Sequence, residues 1–513
     1  MNGAESLVRS LLACDVDVCF TNPGTSEMHF CAALDQVDGM RCVLCLFEGV
    51  VTGAADGYGR MLDRPAATLL HLGPGLGNGL ANLHNARKAN TPIVNVVGEH
   101  ATYHVKYDAP LTADIEGIAG PVSDWVRTSR SADDIGSDAA AAVHAAMEPP
   151  GGISTLILPA DTAWNQTASV AKPIAGEAPA CVSDEVIAAC ARVLKLKEPT
   201  MLVVGGKGLR ADALAYIGAI ARQCGAEVRA DFPSARHERG AGRVTIERIP
   251  YVVGQALEVT KHLQHVIIIG GKTPVAFFAY PNLPSLLIPD DCKVHRLVSS
   301  HENIHDAVSR LADRVGANPA KGDKQELDRP QLKNGELNID AIGAAIGHLL
   351  PENVIISDES ITSGRALHSY TRGCPPHDWL YGTGGAIGRA LPEATGAAIA
   401  CPDRRVLCLS GDGSAMYTLQ ALWTQARENL DVTTVIYDNR SYAILHGELR
   451  NVGAQPGQKA KDMFDLDRPV LDWLGLARGL GVEAIRATTA DEFNQALGQS
   501  FARPGPTLID AVI

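Results

Sequence analysis

The sequence lacks the features that mark several classes of protein. It contains 45 Lys and Arg against 58 Asp and Glu, a formal net charge of −13, and it has no concentrated basic run. No apolar run reaches the ~18 residues that a membrane-spanning helix needs. The N-terminal stretch has neither the basic segment nor the long apolar core of a signal peptide. These absences predict a cytoplasmic protein with no nucleic-acid partner and no membrane partner.

The cysteines of the sequence form no zinc-binding pattern. Of its 12 cysteines, only Cys42 and Cys45 have Cys-x-x-Cys spacing, and no second pair or Cys/His cluster with zinc spacing accompanies them. Most of them stand in apolar runs, as Cys19, Cys45 and Cys408 do. We therefore expect buried free thiols in a reducing compartment rather than disulfides.

The sequence does contain a long alternation of short apolar runs and helical patterns. This alternation predicts an α/β fold built on doubly wound parallel sheets. A length of 513 residues is too great for a single core and favours three domains. Stretches at 167–179 and 317–334 are loose or polar, as linkers are. The expected domains are therefore 1–170, 180–320 and 335–513.

One strand–turn–helix–strand pattern, at 405–442, stands out in the third expected domain. Its first apolar run enters a tight Gly411-Asp412-Gly413 turn, and its second ends at Asn439, so both polar positions should meet at one sheet edge. The glycines let the backbone approach an anion, and Asp412 and Asn439 offer oxygen ligands that suit Mg²⁺ better than zinc. An acidic turn after a buried strand is the alternative. The second oxygen ligand favours a diphosphate clamp.

Three side chains in the first expected domain stand just after predicted strands. Glu48 lies in the apolar run LCLFEGVV, where an unpaired carboxylate is costly to bury. It has either a function or a structural role, as an ion-pair partner or at a helix start. His71 precedes a glycine-rich stretch that we interpret as a loop, and it could equally be structural. Thr25 could bind a ligand or cap the helix predicted after it.

Five stretches of the chain resemble, in the same order, the motifs of thiamine diphosphate enzymes. They lie at 21–27, 46–60, 70–78, 384–396 and 411–423, and the likeness is closest to benzoylformate decarboxylase and acetolactate synthase-like proteins. The resemblance implies pyrimidine-binding, central and diphosphate-binding domains, with thiamine diphosphate and Mg²⁺ as cofactors. In such enzymes two subunits share each active site. It therefore implies a homodimer at least, and a homotetramer by analogy.

The resemblance assigns roles in catalysis to the three side chains. Glu48 matches the glutamate that hydrogen-bonds the cofactor's aminopyrimidine ring, and His71 matches a proton-relay histidine. Thr25 replaces a serine that holds the substrate carboxylate. Asn78 could position a water or the substrate carbonyl, or merely cap its helix.

The remaining matches concern the cofactor and the metal. Ile387 matches an apolar wedge under the bent cofactor, and the metal would bind Asp412, Asn439 and the backbone carbonyl of Ser441. The cofactor-binding positions implied by the resemblance are Glu48, Ser360, Thr362, Ile387, Gly411, Asp412, Gly413, Ser414, Asn439 and Tyr442.

Two further departures from the decarboxylase pattern concern proton transfer and the substrate. The central stretch TPVAFFAY (273–280) has no counterpart of the decarboxylase's second histidine, and His100 or His104 could supply the missing group. After Tyr442 the bulky aromatic residues are replaced by AILHGEL, so that His446 and Glu448 become candidate substrate contacts. We therefore expect a small or polar 2-oxo acid rather than an aromatic one.

The expected activity is that of a 2-oxo acid decarboxylase or carboligase that works through a thiazolium-bound enamine. An acetolactate synthase proper, often with FAD in the central domain, is one alternative, although its characteristic glutamine and tryptophan are missing. A 2-hydroxyacyl thioester lyase would need a coenzyme A site. The Gly-Gly-Lys turns at 205–207 and 270–272 lack the full phosphate-loop pattern for one. The retained Glu48 argues against a non-catalytic relative.

Overall fold

The computed structural model describes residues 1–232 and 234–513 and contains three sheets. The first is six-stranded and parallel throughout, in the order β2-β1-β3-β4-β6-β5. Its strands are β1 (Val18–Thr21), β2 (Arg41–Leu44), β3 (Ala66–Leu70), β4 (Ile93–Glu99), β5 (Trp125–Thr128) and β6 (Ile153–Pro159). Its helices are α1 (Gly3–Ala13), α2 (Met28–Ala33), α3 (Glu48–Leu62), α4 (Leu72–Ala89), α5 (Ile115–Ala119), α6 (Ile135–Met147) and α7 (Ala160–Trp164). Strands β3, β4 and β6 are buried along their whole length, as in a sheet covered on both faces.

The second sheet is five-stranded, in the order β10-β8-β7-β11-β12. Its strands are β7 (Thr200–Val204), β8 (Glu227–Ala230), β10 (Glu247–Arg248), β11 (His265–Ile269) and β12 (Lys293–Val298), all parallel. Its helices are α8 (Asp184–Lys195), α9 (Ala211–Cys224), α10 (Val253–Thr260) and α11 (Ile304–Val315).

The third sheet has seven strands, in the order β17-β18-β16-β15-β13-β14-β9. Its strands are β9 (Arg236–Arg239), β13 (Ile355–Glu359), β14 (His377–Leu380), β15 (Val406–Gly411), β16 (Val432–Asp438), β17 (Glu483–Ala487) and β18 (Thr507–Val512). Its helices are α12 (Ile339–Leu349), α13 (Leu367–Tyr370), α14 (Ala390–Ala400), α15 (Asp412–Ala415), α16 (Ala421–Arg427), α17 (Ala443–Asn451), α18 (Gln458–Asp462), α19 (Trp473–Gly479) and α20 (Ala490–Ala502).

The predicted fold class, an α/β fold with three parallel sheets, is confirmed, with one addition. Strand β9 comes from the expected central range but pairs antiparallel with β14 at the edge of the third sheet. The domain ranges themselves stay predictions. All 12 cysteines lie in the described part of the chain and are free thiols; five are buried, six are half-buried and Cys181 is exposed.

Helix α4 begins earlier than the sequence predicts. The glycine-rich stretch after His71 is not a loop, because it forms the first two turns of the helix. Its glycines allow close packing: a Cβ at Gly79 would lie 2.8 Å from Cγ2 of Thr52, and one at Gly73 would lie 2.6 Å from Cβ of Ala113. Tertiary contacts therefore override the low helix propensity of glycine.

Helices α3 and α14 bring the first and third sheets together. Small residues line their contact, since a Cβ at Gly57 would lie 2.0 Å from the carbonyl oxygen of Glu393 and one at Gly396 1.8 Å from that of Ala54. Arg60 is buried at this contact, where it pairs with Asp56 at 2.6 Å and with Glu393 at 3.2 Å. One apolar core spans both sheets as a result.

Three buried histidines gather where β9 meets the third sheet: His237, His368 and His377. Burial lowers the pKa of each of them, and the nearby guanidinium group of Arg239 lowers it further. The pKa of His377 falls to about 3. These side chains stay neutral in the folded protein, whereas in the unfolded chain they bind protons below a pH of about 6.5.

We expect the unfolding of a His377→Asn variant to reveal this difference. The asparagine can still donate to the carbonyl of Pro375, as Nδ1 of His377 does at 2.8 Å, but it does not titrate. Folding with a neutral histidine is penalised as the pH falls. The stability advantage of the native protein over the variant should therefore shrink by about 1.4 kcal/mol per pH unit below about pH 6.5.

Urea unfolding of both proteins at several pH values measures the difference between their free energies of unfolding. Buried carboxyls such as Glu359, whose pKa is raised to about 7 by burial, have the opposite pH dependence. Their effect is the same in both proteins and cancels in the difference. Leu380→Val, on the same strand, is the control because it removes apolar volume and no titrating group. A gap for His377→Asn that stays constant with pH would contradict the expectation.

Candidate functional site

Two groups of polar side chains lie at the carboxyl edges of the first and third sheets. The first group follows β1, β2 and β3 and contains Thr25, Glu48 and His71. The second follows β15 and β16 and contains Asp412 and Asn439. Each group stands where parallel α/β sheets bind ligands.

Glu48 is the first residue of α3 and is 7% exposed. Its carboxylate accepts hydrogen bonds from Nδ2 of Asn22 at 3.2 Å and from Nδ2 of Asn78 at 2.9 Å. Among the described residues no Lys, Arg or His forms a salt bridge with it, so the ion-pair interpretation is wrong. Two neutral amides and a helix N-terminus stabilise the charge instead.

His71 is held by a side chain that sequence reasoning missed. Its Nδ1 lies 3.0 Å from Oε2 of Glu27 and 3.2 Å from Oγ of Ser26. Glu27 is 2% exposed and also accepts a hydrogen bond from the backbone N–H of Gly24 at 2.8 Å. With a carboxylate on Nδ1, the proton is held there, and Nε2 is left as the basic nitrogen of the ring.

Two glycines keep the space that this pair needs. A Cβ at Gly98 would lie 1.7 Å from Oε1 of Glu27, and one at Gly24 would lie 2.1 Å from Nδ1 of His71. Glu27 is the last residue of the stretch 21–27 that resembles the family. No local pattern indicates that it faces a histidine that follows β3, so only the fold reveals the pair.

Two further candidates of the first sheet, Thr25 and Asn78, accompany Glu48 and His71. Thr25 is exposed and opens a short 3-10 helix whose N-cap is Gly24, and its side chain makes no capping bond, so the capping interpretation is wrong. Asn78 is exposed inside α4 and is not a cap either. Its amide is directed to Glu48.

Asp412 is buried in the second group, at the start of α15. Its Oδ1 accepts from the N–H of Gly413 at 2.8 Å and its Oδ2 from the N–H of Arg440 at 2.7 Å. Burial, together with the neighbouring carboxylate of Asp438, raises the pKa of Asp412 to about 6. Within the described residues Oδ2 of Asp438 is buried without a hydrogen-bond partner. The nearest positive charge on Asp438 is Arg440, whose Nε lies 3.7 Å from Oδ2, beyond hydrogen-bond distance.

These residues fit a hard divalent cation. A cation beside Asp412 would offset the repulsion between the two carboxylates, and the carboxylate and amide oxygens of Asp412 and Asn439 are ligands that Mg²⁺ accepts. The half-buried Asn439 turns its Oδ1 toward the N–H of Ser441 at 3.0 Å. In residues 1–232 and 234–513 no cluster of three or more His, Cys, Asp or Glu could hold a metal. The predicted set contains only one carboxylate and does not require such a cluster.

The glycines beside these ligands let the backbone come close to a bound group, as a diphosphate requires. Gly411 ends β15, and Gly413 and Ser414 are buried in the short helix α15. The ring of Tyr442 lies against Gly413, where a Cβ would be 2.3 Å from Cε1. Only glycine leaves room for this ring, as the predicted close approach of the backbone requires.

The three predicted cofactor contacts between residues 360 and 387 are Ser360, Thr362 and Ile387, and not all of them are free to bind a ligand. The N–H and the hydroxyl of Ser360 both bond to Oδ1 of Asp358, so this side chain is occupied. Thr362 is half-buried and follows Ile361, whose φ of 47° is strained for a β-branched residue. Ile387 is half-buried on the loop that precedes α14.

Glu359 fixes this loop and is a second residue that sequence reasoning missed. Its buried carboxylate accepts from the backbone N–H groups of Gly388, Arg389 and Ala390 at 3.1, 3.2 and 3.3 Å. The carboxyl group thus stands at the N-terminus of α14, where the backbone N–H groups need acceptors. The position of Ile387 follows from this cap.

The central segment reaches the third sheet through the stretch 273–280. Phe277 packs on Gly385, where a Cβ would lie 2.8 Å from the end of its ring. Tyr280 donates to Glu448 at 2.8 Å, so Glu448 is not an isolated side chain. His446 packs edge-on against Phe464, with ring centroids 5.2 Å apart.

His100 and His104 lie elsewhere, after β4. Their ring centroids are 5.5 Å apart. Nε2 of His100 is buried, and among the described residues it has no hydrogen-bond partner. No hydrogen bond in the described chain joins either histidine to Glu48 or His71.

A cavity of about 540 Å³ lies apart from both groups, between the first and second sheets. Arg60, Lys207, Arg210, Ser300 and His305 contribute to its lining. Lys207 belongs to one of the two Gly-Gly-Lys turns. Binding of FAD by residues 180–320 stays a prediction of the acetolactate synthase alternative. Binding of coenzyme A there stays a prediction of the thioester lyase alternative.

Comparison with known proteins decides the family. Residues 1–118 match the family described as the N-terminal TPP binding domain of thiamine pyrophosphate enzymes, and residues 362–511 match the C-terminal TPP binding domain. The chain belongs to the thiamine pyrophosphate enzymes. Both matched parts are cofactor-binding domains, so thiamine diphosphate is the cofactor that this enzyme family member is built to hold.

Two curated relatives align with nearly the whole of this chain. It is 51% identical over 100% of the chain, and 99% of the relative, to the Mycobacterium tuberculosis protein "Putative acetolactate synthase large subunit IlvX". It is 28% identical over 96% of the chain to benzoylformate decarboxylase of Pseudomonas aeruginosa, of which 95% is covered. These likenesses place it in the acetolactate synthase and benzoylformate decarboxylase branch.

A solved structure shows the same fold. The thiamine diphosphate-dependent 4-hydroxybenzoylformate decarboxylase of Rhodococcus jostii RHA1 superposes with a TM-score of 0.85 at 24% identity, over 99% of this chain and 98% of that one. None of the helices in the described residues is both long and apolar enough to cross a membrane.

Replacing Asp412 with alanine should abolish cofactor binding and leave the fold intact. The side chain would hold the metal through which the diphosphate binds, so its loss should weaken thiamine diphosphate binding by more than about 100-fold. Titration of the cofactor by tryptophan fluorescence, with Mg²⁺ present, measures the affinity, and circular dichroism checks the fold. Asp403→Ala, at an exposed turn, is the control. An unchanged affinity in Asp412→Ala would exclude the clamp.

Proposed function

We propose that the protein is a thiamine diphosphate- and Mg²⁺-dependent decarboxylase or carboligase of 2-oxo acids. The observation that carries this proposal is the environment of Glu48. Its buried carboxylate has two neutral amide donors and no counter-ion among the described residues. Such a carboxylate can share a proton with a ring nitrogen, and a protein without catalysis has no need to bury it.

Glu48 would bind the ring nitrogen of the cofactor's pyrimidine and hold the shared proton there. When bound, the cofactor supplies a carbon nucleophile and an electron sink for decarboxylation. Asn22 and Asn78 keep the carboxylate oriented. Since Asn78 donates to Glu48 at 2.9 Å, its position next to the substrate depends on the same contact.

His71 would move protons on the substrate side through Nε2. The carboxylate of Glu27 fixes the tautomer from the other nitrogen and would stabilise the protonated ring. Thr25, with its exposed hydroxyl, would donate to the substrate carboxylate. Glu27 is the residue of this set that we add to the predicted ones.

The metal would bind the side chains of Asp412 and Asn439 and the backbone carbonyl of Ser441. The diphosphate would lie along Gly411, Gly413 and Ser414, with the ring of Tyr442 closing one side. Ser360 and Thr362 would contribute less than the resemblance implies, because the hydroxyl of Ser360 is already bonded to Asp358. Ile387 would support the cofactor from the loop that Glu359 holds.

A homodimer at least, and a homotetramer by analogy with the family, belongs to the proposal. By analogy with the family, the complete site would form from the first segment of one subunit and the third of another. The ranges 1–170, 180–320 and 335–513 are proposed as the three domains.

Acetolactate synthesis proper is the second candidate. The name of the relative that is 51% identical supports it, and the name of the 28% identical relative supports decarboxylation. Product analysis after incubation with pyruvate distinguishes the two, since carboligation yields a longer acid and decarboxylation an aldehyde.

The substitution Glu48→Gln tests the proposal most directly. Glutamine keeps the shape and can still bind the pyrimidine ring, but it cannot exchange the proton. We expect cofactor and metal affinities close to those of the native protein, with turnover lower by roughly 10²–10⁴-fold, or about 3–5 kcal/mol in barrier.

Steady-state kinetics, together with proton exchange at the reactive carbon of the cofactor followed by NMR, measure the effect. Glu185→Gln, on the exposed face of α8, is the matched control. Native rates of both turnover and exchange in Glu48→Gln would mean that Glu48 is only structural.

Small or polar 2-oxo acids should be better substrates than benzoylformate. The residues after Tyr442 offer Ala443, His446 and Glu448 in place of bulky aromatic side chains. A panel of 2-oxo acids with thiamine diphosphate and Mg²⁺, followed by CO₂ release and product identification, gives the order of kcat/KM. Benzoylformate at the head of that order would refute the expectation.

A further inference from the structure

Glu448 lies in a polar cluster that neither the resemblance nor the comparisons assign. Tyr280 donates to its Oε2 at 2.8 Å, and Tyr251 donates to its Oε1 at 3.4 Å. Asn451, one turn later on α17, reaches the same oxygen at 3.5 Å. We call Tyr251, Tyr280 and Glu448 the tyrosine–glutamate cluster.

The carboxylate of this cluster lacks a compensating positive charge. No Lys, Arg or His of the described chain forms a salt bridge with Glu448, and the side chain is half-buried. Both tyrosines are neutral donors, because burial raises their pKa values and the glutamate raises them further. The cluster therefore presents a fixed negative charge with unused lone pairs.

The position of the cluster places this charge beside the proposed cofactor site. Helix α17 begins directly after Tyr442, whose ring covers Gly413. On the other side, Phe277 lies on Gly385, close in sequence to Ile387, and its ring centroid is 5.6 Å from that of Tyr251. Glu448 is thus linked to both loops that would hold the cofactor, to one through α17 and to the other through Tyr251 and Phe277.

We propose that Glu448 recognises a positively charged, hydrogen-bond-donating end of the substrate's side chain, and this proposal rests on the proposed 2-oxo acid chemistry. A guanidinium or ammonium group would supply the counter-charge that the protein does not provide, through charge-assisted hydrogen bonds. The net charge of −13 also favours a cationic group over an anionic one. The substrate class is a 2-oxo acid with a linear, cationic side chain.

The two tyrosines are positioning residues in this scheme. They come from the central segment and fix the direction of a glutamate on the third segment, so that the carboxylate is preorganised before the substrate binds. Loss of the 2.8 Å bond from Tyr280 should weaken recognition of the cationic end and leave the reacting carbons untouched. Its effect should therefore fall on KM for the cationic acid.

The experiment compares two linear 2-oxo acids of similar length, one ending in a guanidinium group and one in a methyl group. The native holoenzyme should prefer the cationic acid in kcat/KM by about 10–100-fold, the range expected of a hydrogen bond to a charged group. In Glu448→Gln this preference should fall by at least about 10-fold. Tyr280→Phe should lower it through KM.

Two matched variants control for unspecific effects. Glu185→Gln changes an exposed residue of α8. Tyr216→Phe changes a residue that packs against the core of the second sheet. No described residue forms a hydrogen bond with the hydroxyl of Tyr216. Both should keep the native preference. Thiamine diphosphate titration confirms that each variant still holds the cofactor.

The outcomes separate the two proposals. If the native enzyme decarboxylates 2-oxo acids without preferring the cationic one, the inference is overturned and the proposed function stands. A preference that survives in Glu448→Gln overturns it as well. If Glu448→Gln does not fold, the inference is tested by two other results. The native enzyme must prefer the cationic acid, and Tyr280→Phe must weaken that preference. If the loaded native enzyme releases CO₂ from no 2-oxo acid, the proposed function fails, and this inference with it.

Discussion

The buried carboxylate of Glu393 between two arginines joins helix α3, which begins at Glu48, to the loop that precedes α14. Glu393 is fully buried and pairs with Arg60 on α3 and with Arg389 just before α14. Removing one partner from such a buried cluster leaves an uncompensated charge and costs about 3–5 kcal/mol. Helix α3 begins at Glu48, and α14 follows the loop that contains Ile387. The same ionic cluster therefore helps to position Glu48 and this loop.

The backbone geometry around this cluster leaves little freedom. The helices touch through glycines, so the contact at Gly57 and Gly396 is made with main-chain carbonyl oxygens that cannot move aside. A row of asparagines on α4 continues the link. Asn78 bonds to Glu48, Asn82 bonds to the carbonyls of Gly49 and Gly388, and Asn85 bonds to both backbone groups of Ala386. The first and third segments are therefore connected by polar bonds that run beside the site.

Local signals in the sequence predicted much of this arrangement. Glu48 stands at the start of α3, as one interpretation of the sequence has it. Asp412 and Asn439 follow neighbouring parallel strands, as the strand–turn–helix–strand pattern indicates. Other features depend on contacts between residues far apart in the chain, which leave no periodic signal. These are the pair of Glu27 and His71, the cap of Glu359 and the tyrosines on Glu448. The prediction of a loop after His71 was wrong for a related reason. The glycines there allow close packing of α4 and do not form a turn.

Strand β9 limits how far the chain can be divided. It comes from the middle of the sequence, yet it covers the outer edge of β14 in a register that pairs Trp379 with His237. A fragment beginning at residue 335 would carry its own large core but would expose the N–H and C=O groups of β14 along an open edge. Such an edge pairs readily with other chains. The diphosphate-binding segment is thus expected to aggregate when expressed alone, and to stay monodisperse only when 236–239 accompany it.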